Sequence, residues 1–145
     1  MNIRLIILAF FICISFFKTK KGSTDYEAIQ KQQSVLQETS NGKALYEELC
    51  IQCHLGTGQA TKSIIPPLDA SDWLTKKRKE SIHAVKYGLR GSIIVNGKNY
   101  KGNMPAMGLN DQEVADLMNY IMTAWSNSNT QKEPVTIEEV AVIKK

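Results

Sequence analysis

The chain is poor in the residues that staple small domains together: its 145 residues include only 3 Cys, 2 His and 4 Pro. So few cysteines imply no disulfide framework, and taken alone they report no oxidising compartment. No internal repeat is visible, which excludes a solenoid or propeller array. Acidic residues are missing before Asp25, where Arg4, Lys18, Lys20 and Lys21 carry the only charges. The formal net charge of +4 therefore belongs to the leader, and the remaining body is neutral. A nucleic-acid binder would show a basic face, so that reading has no electrostatic support. A long apolar run is also lacking. Residues 5–17 are nearly all apolar, but as a helix they reach only roughly 20 Å against a hydrocarbon core of ~30 Å.

That short run behind the basic residues of the N-terminus has the form of a signal-peptide h-region. No Ala-x-Ala-like site follows it, and Cys13-Ile14-Ser15 is the nearest small-x-small match. Three outcomes stay open: a cleaved signal, an uncleaved membrane tether through residues 5–17, and lipidation at Cys13. Residues 18–39 are polar and rich in Gln and Lys; residues 1–21 form this signal or anchor, and residues 22–39 read as a linker that could be transiently helical. A domain over 40–127 follows, then a C-terminal tail over 128–145, in which residues 135–145 could form a closing helical turn.

What is present is concentrated in Cys50-Ile51-Gln52-Cys53-His54. The C-x-x-C-H spacing is the attachment signal of c-type haem. Two thiols can add across the two vinyl groups as thioethers, and the adjacent imidazole falls under the iron as proximal ligand. Covalent attachment of this kind takes place outside the bacterial cytoplasmic membrane, which fits the export segment.

Around the motif the chain reads as short helices. Asn41 is a plausible N-cap, with Ala44, Leu45 and Leu49 at helical spacing behind it. A second helix is expected over 79–87, with Ile82 and Val85 inward and Gly88 as its stop. Residues 93–100 alternate around Asn96-Gly97, the pair favoured where a hairpin turn needs two positive φ angles. The last helix is the best specified. Asn110 and Glu113 form a capping box, Leu109 can staple onto Val114, and Val114, Leu117, Met118, Ile121 and Trp125 make an apolar stripe.

The second axial position has five candidates: Met104, Met107, Met118, Met122 and His83. Met118 and Met122 sit in the last helix, where core packing is the ordinary role of methionine. His83 lies beside the inward stripe of its helix and reads as a satisfied or solvent-facing histidine. Met104 stands between Gly102 and Pro105, in a segment that cannot be helical, and the following proline stiffens it. Met107 shares that loop without a following proline. Met104 is therefore the favoured ligand, with Met107 as the alternative.

These residues carry a resemblance. From about Asn41 to Trp125 the chain resembles a class I c-type cytochrome, through Gly42-Lys43-Ala44-Leu45-Tyr46, the Cys50–His54 motif, Ile65-Pro66-Pro67-Leu68, Ser71-Asp72-Trp73, Gly97-Lys98-Asn99-Tyr100, Met104-Pro105 and residues 114–120. Residues 66–104 particularly resemble the cytochrome c units that accompany bacterial quinoprotein dehydrogenases. The resemblance implies an all-α class I cytochrome c fold, with several short helices around one covalently bound haem c and a small β-hairpin near 93–101. It implies His54 and Met104 as axial ligands. It also implies that the Pro66 carbonyl accepts the proximal imidazole's Nδ1 proton, with Leu68 packed on the haem and the first and last helices crossing where Gly42 and Tyr46 meet Tyr120. Trp73 is either a propionate donor or core.

The expected function is electron transport, not catalysis: one electron at a time, between exported redox partners at the periplasmic or outer face of the membrane. The donor or acceptor is a dehydrogenase, a quinol complex or an oxidase, and the chain could be the cytochrome subunit of a larger oxidoreductase. Lys76-Lys77-Arg78-Lys79 is a candidate docking patch or a solvated helix lead-in. The alternative function is a haem enzyme or gas-ligand sensor with a displaceable methionine. A zinc or thiol-redox role for the cysteines lacks both a fourth ligand and a strand–helix setting.

Overall fold

A computed structural model describes residues 23–129 and 133–145. The expected signal or anchor, residues 5–17 and Cys13 included, lies outside the described residues. No helix among the described residues is long and apolar enough to cross a membrane.

The chain divides into two compact units, one up to Ser34 and one from Val35 onward. The described part of the first is helical, with Tyr26 and Ile29 exposed and a Gln30 to Tyr26 side-chain hydrogen bond of 2.9 Å. Helix α1 spans Ser23–Leu49, so it does not begin at Asn41 as the sequence suggests. Asn41 has other work: its amide donates to Asp116 at 3.3 Å and accepts from Gln37 at 3.0 Å. Residues 23–39 contain no Gly or Pro and include four Gln, so little opposes helix continuation through them.

The second unit is a mainly helical domain with one small sheet. Helix α2 (Ile51–His54) follows α1 almost without interruption, and then come α3 (Asp72–Lys76) and α4 (Arg78–Tyr87). An antiparallel hairpin joins β1 (Leu89–Val95) to β2 (Lys98–Met104). Helix α5 (Asp111–Thr123), a 3-10 turn (Trp125–Asn129) and α6 (Ile137–Ala141) complete the chain.

Local chemistry explains the boundaries. Gly88 ends α4 at φ +82°, and Asn96 and Gly97 take φ +50° and +75° at the hairpin turn, both in the left-handed region as a type I′ turn requires. The hairpin runs well past the expected 93–101, because the ladder continues to the Leu89–Met104 pair. Its tip is pinned by a reciprocal pair: Asp72 N–H donates to Asn96 Oδ1 at 2.9 Å and Asn96 N–H to Asp72 Oδ1 at 2.7 Å. The capping box of α5 forms as read, with Glu113 N–H to Asn110 Oδ1 at 3.0 Å and Asn110 N–H to Glu113 Oε2 at 2.8 Å.

The core gathers Tyr46, Ile82, Val85, Val114, Leu117, Met118 and Ile121, and it also takes in Val135 and Val140. The tail is thus part of the packing and not a loose end. Asn119 holds the Val135 backbone on both sides, donating to its carbonyl at 3.0 Å and accepting its N–H at 2.7 Å. Arg78 grips Glu139 in bidentate fashion at 2.7 and 2.8 Å and donates to the Glu133 and Pro134 carbonyls at 3.2 and 3.1 Å.

Arg78 holds the Glu139 carboxyl below its ordinary value of 4.5. A depressed folded-state pKa gives stability that is complete above the unfolded value and is lost as pH falls through the folded one. Glu139→Gln is expected to cost about 1 kcal/mol at neutral pH, the low end for a charge-assisted pair that is partly solvated. The difference from wild type should vanish in denaturation curves taken well below pH 4.5, the carboxyl's ordinary value.

Candidate haem site

The crossing of α1 and α5 sets the motif's position. Gly42 lies so close to α5 that a Cβ there would sit 2.0 Å from the Asp116 carbonyl oxygen and 2.9 Å from Tyr120 Cβ. Close approach lets Tyr46, one turn on, meet Tyr120 and Trp125 with ring centroids 5.4 and 5.3 Å apart. Tyr46 is fully buried, and its hydroxyl donates to the Leu55 carbonyl at 2.6 Å. That bond anchors the residue just after His54. The Cys50 N–H donates to the Tyr46 carbonyl at 2.9 Å and His54 N–H to the Cys50 carbonyl at 2.9 Å, so Cys50, Cys53 and His54 share one continuous helical turn.

His54 is buried. Burial pulls the imidazole pKa down, and the Pro66 backbone, which can offer only its carbonyl, pulls in the opposite direction. Burial is the larger influence, so the ring is held neutral, the form that binds metal. Its Nδ1 is buried with no hydrogen bond of full geometry, although the Pro66 carbonyl is near enough to favour the protonated ring. The Cys50 thiol is pushed up to about 11, by burial first and by Cys53 second. A redox-active C-x-x-C motif needs a lowered thiol pKa, so the site is unsuited to disulfide exchange.

The loop carrying Pro66 and Leu68 is tied down from the far end of the domain. Trp125, at φ +55°, turns its ring over Gly58, where a Cβ would approach the indole to 2.6 Å, and donates Nε1–H to the Gly56 carbonyl at 2.9 Å. Asn127 donates to the Leu68 carbonyl at 2.8 Å. Asp69 accepts the Ser126 hydroxyl and the Ser126 N–H, the latter at 3.0 Å, and these bonds hold its carboxyl below the usual range. Sequence reading placed Trp125 in the helical stripe. The signal for its actual role is Gly58, which leaves room for a ring.

Two adjoining cavities open beside the motif. Cys50, His54, Pro66, Met104 and Met107 line both. Cys53 lines the first, and Leu68, Trp73 and Met118 line the second. All six expected site residues are therefore brought to one place. Met122 lies elsewhere, with its sulfur 3.8 Å from Arg78 Nη1. His83 lines neither cavity and packs its ring against Tyr87, centroids 5.2 Å apart. The hairpin supplies one wall through Leu89, Gly91, Ile93, Tyr100, Gly102 and Met104. Gly91 and Gly102 face each other across the ladder. A Cβ on Gly91 would meet no atom, and one on Gly102 would meet the Ile64 carbonyl at 2.9 Å. The open space at Gly91 and the close approach of the Ile64 backbone at Gly102 escaped sequence reading, since their sign is a cross-strand register that only the fold reveals. Apolar walls, an open glycine face, two thiols and a neutral imidazole together fit a haem.

The lysine run behaves differently from a free patch. Lys76 pairs with Asp72 at 3.2 Å, Lys77 with Glu80 at 3.5 Å and Arg78 with Glu139 at 2.7 Å. Most of its charge is spent within the domain.

Comparison with known proteins agrees with this geometry. Residues 39–125 match the cytochrome c family. A cytochrome c-552 of Thermus thermophilus is 36% identical over 108 residues, covering 70% of this chain and 82% of that protein. The gluconate 2-dehydrogenase cytochrome c subunit of Pantoea cypripedii is 32% identical over 116 residues, 74% of this chain but only 25% of the subunit. The Cbb3-type cytochrome c oxidase subunit CcoP of Cereibacter sphaeroides is 31% identical over 106 residues, 69% of this chain and 36% of the subunit. With the C-x-x-C-H turn, its cavity and this matched span in agreement, the chain belongs to the cytochrome c family, whose class I members carry covalently bound haem c.

Proposed function

We propose that the protein is a mono-haem electron carrier whose iron is held by His54 and Met104, with Cys50 and Cys53 as the thioether attachment points. The observation that carries this reading is the convergence of both cysteines, His54, Pro66 and Met104 on one apolar cavity. When bound, the haem supplies an iron that exchanges one electron between ferric and ferrous states. The chain's residues do the rest. His54 offers a neutral imidazole whose tautomer and orientation the Pro66 carbonyl supports. Leu68, Ile93 and the glycine pair exclude water. Met104 offers a soft thioether at the constrained end of β2: Gly88 has no side chain, and a Cβ there would meet the Met104 carbonyl oxygen at 2.6 Å and the Ala106 nitrogen at 2.9 Å. A thioether opposite an imidazole favours the reduced state and raises the potential. Held by both His54 and Met104, the iron would have no open position for substrate.

The relatives' names support a redox protein as partner, a dehydrogenase or a terminal oxidase complex being the two kinds represented. An exported location follows from the site of haem c attachment, with residues 5–17 as signal or tether.

The test is a spectroelectrochemical titration of the holo-protein alongside Met107→Ala. The expected result is a reversible one-electron curve in both proteins, with a ferrous spectrum that carbon monoxide does not change. A rapid carbon monoxide shift in wild type would favour a sensor or enzyme. Loss of closure in Met107→Ala alone would move the ligand assignment from Met104 to Met107.

A further inference from the structure

We propose that the outer face of the β1–β2 hairpin is the docking surface for an acidic redox protein; this rests on the electron-carrier reading above. The register pairs Arg90 with Asn103, Ser92 with Lys101 and Ile94 with Asn99, and all six side chains are exposed. Alternation in a strand places these residues on one face and Leu89, Gly91, Ile93, Tyr100, Gly102 and Met104 on the other. That second face lines the haem cavity, which Asn103 of the outer face also reaches at the end of β2. A partner seated on the outer face is thus one hairpin's thickness from the cofactor, and at the Gly91–Gly102 pair no side chain adds to that thickness.

Charge identifies the partner's chemistry. All 14 carboxylates of the sequence lie outside residues 81–110, a stretch that holds Lys86, Arg90, Lys98 and Lys101. Lys86 is committed to Asp111 at 2.7 Å, and Lys98 lies over the Tyr100 ring at 5.1 Å. Lys43, Lys76, Lys77 and Arg78 are also paired with carboxylates. Arg90 and Lys101 differ, because no carboxylate of the described residues pairs with them. The carboxylate that reaches the hairpin, Asp72, sits at the turn and is satisfied by Asn96 and Lys76. Ile94, 66% exposed, adds an apolar contact one rung beyond Lys101, toward the hairpin turn. Unpaired charge raises the association rate of an oppositely charged partner.

The test uses the full-length ferrous holo-protein and acidic plant plastocyanin as the probe; one electron passes to Cu(II), giving Cu(I), and no proton moves. Stopped-flow rates are compared for wild type, Arg90→Glu/Lys101→Glu and the control Lys144→Glu/Lys145→Glu, which changes net charge equally. At low ionic strength the hairpin variant should react about tenfold slower or more, within the range of electrostatic steering, and the control less than about threefold slower. The difference should collapse in about 1 M salt, where the Debye length is roughly 3 Å. Unchanged visible spectra and midpoint potentials show that folding and haem are intact. Equal slowing of both variants, or none, overturns the proposal. So does a hairpin variant that stops binding phosphatidylglycerol vesicles yet transfers electrons at the wild-type rate, which would make this a membrane face. A wild type with no reversible one-electron wave at an electrode would instead overturn the carrier reading itself.

Discussion

Met104→Ala should convert a closed cytochrome into an open one. Without the thioether the iron is left with His54 alone, so the ferrous variant binds carbon monoxide rapidly where wild type does not. Its potential should fall by a sizeable part of the roughly 0.8 V range that axial ligation controls. The fold should survive, because Met104 is only half-buried at the end of β2 and the hairpin is held independently by its ladder and by Asp72 and Asn96. Covalent attachment should also survive, since Cys50 and Cys53 lie on the other side of the sequence and their turn is anchored through Tyr46. Optical titration with and without carbon monoxide measures both effects. A variant that stays closed and keeps its potential would show that another side chain, Met107 first among them, fills the position.

Gly42→Ala is the second large effect, and local propensity predicts its sign wrongly. Within a helix, alanine is favoured over glycine by about 1 kcal/mol, so an isolated α1 would gain. In the folded domain the new Cβ would sit 2.0 Å from the Asp116 carbonyl oxygen and 2.6 Å from its carbonyl carbon. Both obstacles are helix backbone, which cannot swing aside as a side chain can. The helices must separate, and Tyr46 then loses its packing on Tyr120 and Trp125. Overpacking of this kind costs about 3 kcal/mol or more, leaving a net loss of about 2 kcal/mol or more after the propensity gain. Denaturant curves on the holo-protein should show a lower midpoint at unchanged slope. Because α1 runs directly into Cys50, the variant's motif should also lose rigidity, and exchange protection at the Cys50 and His54 amides should fall with it.

What the sequence revealed, and what it hid, divides along physical lines. The haem turn, the Asn110–Glu113 box, the Asn96-Gly97 turn and the Gly88 stop were legible because each is a local rule written in adjacent residues. The glycine at 42 and the tyrosines at 46 and 120 were legible only through the family resemblance, since a helix crossing leaves no local mark. The start of α1 was misplaced because Asn41 looks like a cap, yet its side chain is engaged by Asp116 and Gln37. The tail's place in the core was hidden for a related reason. Val135 and Val140 are sparse apolar residues in polar surroundings, and what brings them into the core is Asn119 and Arg78, far away in sequence. Arg78 in turn looked like part of a cationic patch until Glu139 was seen opposite it. Long-range partners decided each of these cases.

The central claim is that one methionine closes the haem of this chain, and one measurement reads it directly. A proton spectrum of the ferrous holo-protein, with methionine methyls assigned by single-site substitution, should contain one methyl resonance shifted strongly upfield by the haem ring current, and it should be the one that Met104→Ala removes. A spectrum with no such resonance, or one whose shifted methyl belongs to Met107, Met118 or Met122, would contradict the account.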